Sequence, residues 1–151
     1  MKFWPPVSPH TRTRTAAISV IIAACGAGEV TGAAVGPYAI ATDRVEYSAG
    51  AIGQATIRNI SGATLTPGFC YRRLERREAA TWIIVSTWPR PGTACTLEGI
   101  TLGPNQSIRI PFEVPPTLGS GTYRIGFDQL RGPAGAMLTA DQRASGSFEL
   151  R

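Results

Sequence analysis

The residues of this 151-residue chain best placed to do chemistry are its three cysteines, and their number is odd. Cys70 and Cys95 lie in the body of the chain, whereas Cys25 closes the apolar run TAAISVIIAAC far upstream. A cysteine can attack a carbonyl, ligate a metal, form a disulfide or carry a lipid, and its neighbours decide which. Nucleophilic catalysis needs a base, yet His10 and Lys2, the only histidine and lysine, both precede Cys25. The body therefore lacks the usual general base, Schiff-base amine and P-loop lysine. Asp43 and Glu46, or Asp128 and Asp141, are too few and too scattered to predict a calcium loop, and no facing pair suggests glycosidase chemistry. The expectation is a protein that binds without catalysing, with no cofactor and no metal.

Two other groups could contact a ligand. Arg72, Arg73, Arg76 and Arg77 crowd one short segment, and arginine forks suit phosphate. The alternative is a solvated hairpin in which they pair with Glu75 and Glu78. Trp88 and Arg90 stand in STWPRPG, a Pro-rich loop from which an aromatic side chain could anchor a partner. Trp82, by contrast, is expected in the core, where large aromatics supply much of the packing. The formal charge of +5 does not indicate nucleic acid. Without residues 1–24, twelve arginines face ten acids, leaving about +2.

These residues have to be positioned by the elements around them. Residues 1–14 are basic and free of acids, and Thr15 to Ala24 is a small, apolar run too short to span a bilayer. A charged start, a short apolar core and small residues at its end make a secretory signal peptide over 1–24. GAGEVTGAAVGP, within 25–37, cannot bury a core and reads as a flexible tether. From residue 38 to 151 short runs alternate polar and apolar residues between turn signals. In AIGQATIRNI, Gly53, Ala55 and Ile57 share a face; Ile108, Ile110 and Phe112 do so in SIRIPFEV, and Tyr123, Ile125 and Phe127 in GTYRIGFDQL. About seven strands with no helical period predict an all-β, immunoglobulin-like antiparallel β-sandwich. CYRRLERR fits poorly, since neither alternate set is purely apolar, so it must be bulged or sit at the sheet margin. Asn59-Ile-Ser is expected to be a turn in which the asparagine bonds nearby backbone, rather than a glycan acceptor. In an exported chain Cys70 and Cys95 make a natural disulfide between the middle of the sandwich and its crossover loop.

Ile22-Ala23-Ala24-Cys25 resembles the lipobox of bacterial lipoproteins: an aliphatic residue, two small residues and a cysteine. The resemblance implies that Cys25 is acylated with diacylglycerol and palmitate and becomes the mature N-terminus. Cleavage by ordinary signal peptidase near Ala27 or Ala34 is the alternative. Asn59-Ile-Ser-Gly, Cys70, Leu74-Glu-Arg, Trp82, Cys95, Leu102-Gly-Pro and Gly121-Thr-Tyr-Arg are together similar to bacterial immunoglobulin-like lipoprotein domains. The similarity implies a monomer at the cell envelope, held to a membrane by lipid, with a protein or glycan partner. Gly26 stands where an aspartate would imply inner-membrane retention, so the outer membrane is the expected address where two membranes exist. A more distant likeness to bacterial β-sandwich proteinase inhibitors leaves a secreted or surface inhibitor as the alternative function.

Overall fold

The computed structural model describes residues 36–89, 94–95 and 99–151. Strand β1 (Tyr38–Thr42) is followed by β2 (Glu46–Tyr47), β3 (Ile52–Asn59), β4 (Gly68–Glu78), β5 (Thr81–Trp88), β6 (Ser107–Glu113), β7 (Gly121–Gln129) and β8 (Phe148–Leu150). Two single 3-10 turns, Pro133–Gly135 and Asp141–Arg143, interrupt the connection between β7 and β8. The strands form two sheets, ordered β1-β3-β6 and β2-β8-β7-β4-β5. All pairings are antiparallel except the two-residue β2, which lies parallel to β8. The first segment thus begins in one sheet and ends in the other. The protein is an all-β sandwich, and this strand order is compatible with an immunoglobulin-like arrangement.

The alternation read in the sequence positions the core. Ala55 and Ile57 of β3 lie opposite Ile110 and Ile108 of β6 within the first sheet, and they share one core with Leu74, Tyr123, Ile125 and Phe127 of the second. At one end Tyr47 meets Phe112 and Phe148 edge-on, with ring centroids 5.4 and 4.8 Å apart. Gly53 is required there: a Cβ would stand 2.5 Å from Phe112 Cζ and 2.6 Å from Tyr47 Cε1. Cys70 of β4 is bonded to Cys95 in the β5–β6 crossover, with Cα atoms 5.6 Å apart. The bridge closes a 25-residue separation, which contributes about 3 kcal/mol by restricting the unfolded chain. Asn59 is buried at the end of β3, where the turn begins. Its Nδ2 donates to the carbonyls of Ala63 (2.7 Å) and Leu102 (2.9 Å), while its Oδ1 accepts from Ser61 N (2.9 Å). That side chain is a structural clip.

The antiparallel registers give the sandwich two ends. Residue 36, the connections 60–67 and 130–138, and the run 99–106 into β6 gather at one end. The connections 43–51, 79–80 and 114–120 gather at the other.

Candidate functional site

The four crowded arginines are dispersed by the strand that carries them. Cross-strand partners share a face, so Leu74, opposite Ile125, sets the inner face of β4, with Arg72 and Arg76 on the same side. Arg73, Glu75 and Arg77 therefore face outward. A register shift between Leu74 and Glu75 in the pairing with β5 is the bulge that CYRRLERR requires.

Outward does not mean solvated. Arg73, Glu75 and Arg124 are 7%, 4% and 8% exposed. The two oxygens of Glu75 are shared, Oε1 accepting from Arg73 Nε and Oε2 from Arg124 Nε, each at 2.5 Å. Arg73 also pairs with Asp128, and Arg124 Nη1 with Asp141 at 2.8 Å. Trp82 covers one side, its ring 4.4 Å from the Arg124 guanidinium carbon and 5.8 Å from that of Arg77. The turn Asp141–Arg143 flanks the cluster, and Arg143 Nη1 donates to the carbonyls of Phe127 (3.4 Å) and Asp128. Burial, with Arg73 nearby, lowers the pKa of Arg143. Gly126 makes room for the ensemble, since a Cβ there would stand 3.2 Å from Arg73 Nε. Trp82 is consequently not the core residue expected from the sequence. It roofs an ion-pair network. Arg73 is committed to Glu75 and Asp128 rather than presented to a ligand.

Arg72 lies in a different environment. It is opposite Phe127 on one side and Trp88 on the other, at the inner margin where the sheets part. There β5 and β6 are the open edges of their sheets, and between them runs a shallow cleft of about 250 Å³. Ile52, Pro111, Phe112 and Glu113 form one wall, Arg72 and Trp88 the other. Arg72 Nε is the one buried side-chain donor among the described residues without a hydrogen-bond partner. Desolvation lowers the pKa of this guanidinium. Trp88 does not project from a loop. It ends β5, half-buried against the core, because its register opposite Arg72 turns it inward.

Two candidates from the sequence, Arg72 and Trp88, thus come together, while Arg73 lies on the opposite face. Arg90 and Cys25 lie outside the described residues, as do the leader and nearly all of the proposed tether. Nothing in the amino-acid pattern marks Ile52, Pro111 and Phe112 as cleft residues, because their neighbourhood depends on how two sheet edges diverge. No group of three or more potential metal ligands occurs among the described residues. No helix among them is long and apolar enough to cross a membrane. Compared with known proteins, the chain matches no family model and no curated sequence.

Proposed function

We propose that this is an exported bacterial lipoprotein, anchored through Cys25, whose immunoglobulin-like sandwich binds an envelope partner without catalysis. The observation that carries the proposal is the pairing of Cys70 with Cys95. It accounts for both cysteines of the body and suits an oxidising compartment. The odd cysteine is then the one that ends Ile22-Ala23-Ala24-Cys25. Acylation gives that thiol a role, and more than one chain is needed for firm anchoring. The cleft beside Arg72 and Trp88 is the candidate binding surface, since the desolvated Arg72 guanidinium has its Nε unbonded and an anionic group in the cleft would compensate its charge. The half-burial of Trp88 favours this over an inhibitor loop that presents it to a protease.

The test is intact mass and membrane fractionation of the bacterially expressed chain beside a Cys25→Ser variant. Acyl mass and membrane association in the wild type, both lost in the variant, are the expected result. If both proteins are soluble and cleaved further along, the anchor proposal fails and the secreted alternative takes its place.

A further inference from the structure

The two ends of the sandwich differ in charge. At the end reached by residue 36, the connections 60–67 and 130–138 and the described run 99–106 contain no carboxylate and one cation, Arg131. Two large apolar side chains are exposed beside it, Ile60 at 41% and Met137 at 52%. They are fixed relative to one another. Ile60 N donates to the Pro37 carbonyl (2.9 Å), Tyr38 Oη donates to the Arg131 carbonyl (2.9 Å), and Met137 is the β-bridge partner of Arg131. A depression of about 360 Å³ lies between Thr64–Thr66 and Arg131–Gly135. The connections at the opposite end carry Asp43, Glu46 and Arg44, with Arg77, Glu78, Glu113 and Arg151 at the strand ends beside them.

Residue 36 is only eleven positions beyond Cys25. Even fully extended, that length reaches at most about 40 Å. A bilayer holding Cys25 would therefore keep this end of the sandwich within about one domain diameter of its surface. Those connections have what an interface with anionic lipid needs: apolar side chains able to enter the headgroup boundary, a guanidinium for phosphate and, among their described residues, no acid to be repelled.

We propose that the end of the sandwich bearing Ile60, Arg131 and Met137 docks on the bilayer that carries the anchor. Ile60 and Met137 enter the interface, and Arg131 contacts lipid phosphate. The cleft at Arg72 and the acid-bearing end are then held away from the membrane. This inference rests on the lipoprotein proposal for its geometry.

The experiment places a reporter at each end. Met137→Trp, Ile60→Trp and, as the far-end control, Val45→Trp are reconstituted in phosphatidylglycerol-containing vesicles with brominated acyl chains. Val45 is 57% exposed, so all three sites tolerate a large side chain. Quenching is read as the difference from the parent protein, and circular dichroism confirms the fold. The expected result is quenching at Met137→Trp and Ile60→Trp at least about twofold greater than at Val45→Trp, reduced by adding Arg131→Glu. Equal quenching at both ends, or none at either, overturns the inference. Intact mass on the same samples reports acylation separately. If no acyl chain is present, the Cys25 thiol is coupled to a maleimide lipid and the comparison repeated. Failure of the anchor and failure of the docking surface are therefore told apart.

Discussion

Arg72 and Arg73 are neighbours in sequence and opposites in circumstance. They project from the two faces of β4, and the same side chain meets different physics on each. On the outer face Arg73 shares Glu75 with Arg124 and pairs with Asp128, so its charge is compensated although it is 7% exposed. On the inner face Arg72 lies against Phe127 and Trp88 with its Nε unbonded. A buried charge tolerates loss of water when partners replace it, and is costly when they do not. Arg73 is thus part of the structure that holds the domain together. Arg72 has a buried nitrogen for which the fold supplies no acceptor.

The largest effect expected from this contrast is at Glu75. Glu75→Gln keeps the shape but leaves two buried guanidiniums without their shared carboxylate, which should cost about 3 kcal/mol, since breaking a buried pair costs roughly 3–5. Urea denaturation would show it. A loss below about 1 kcal/mol would mean that Asp128 and Asp141 carry the arginines alone, and the outer face would then behave as ordinary surface.

The inner layer should respond to alkali instead. Burial pushes the Tyr38 phenol up to about 12, so the folded state resists its ionisation. Because the folded pKa is raised above the unfolded value near 10, this contribution is complete below pH 10. It is lost as pH rises from about 10 through about 12. The two-unit rise sets an upper bound of roughly 2–3 kcal/mol. Stability measured across that range should fall less in Tyr38→Phe than in the parent. Equal slopes would remove Tyr38 as the cause.

Trp82→Ala should cost less, about 1–2 kcal/mol, from lost cover over Arg124 and lost cation–π attraction. In a double-mutant cycle, Trp82→Ala and Glu75→Gln should be non-additive, as expected for residues sharing Arg124. Additive losses would separate the tryptophan from the ion-pair network.

The sequence revealed strands more readily than faces. In β3 and β6 one face is buried and the other polar, so the period-two pattern appears directly in Ala55, Ile57, Ile110 and Phe112. The central strands β4 and β7 bury both faces. The outer set Arg73, Glu75, Arg124 and Gly126 therefore looks like a spoiled alternation until the 49-residue separation between Glu75 and Arg124 is closed. The tryptophans were misplaced for the same reason. Their positions depend on register: Trp82 lies opposite outward-facing Arg77, and Trp88 opposite inward-facing Arg72. The disulfide needed no register, because two cysteines in the body leave one pairing. The cleft could not be read, since its walls come from β3, β4, β5 and β6.

The smallest expected change in stability is at Arg72, and its sign matters more than its size. Arg72→Met replaces a desolvated guanidinium, with one donor unmet, by an apolar side chain of comparable reach beside Phe127 and Trp88. Removing an unsatisfied buried polar group is neutral or stabilising, so stability should stay level or rise by up to about 1 kcal/mol. Arg73→Met, one residue away, should instead lose about 3 kcal/mol by stranding Glu75 and Asp128. Thermal denaturation of the two variants side by side reads the contrast directly. If both lose equally, Arg72 is a structural residue whose remaining nitrogens hold the cleft together. If only Arg73→Met loses, the fold does not need Arg72, as the proposal that it serves a ligand in the cleft requires.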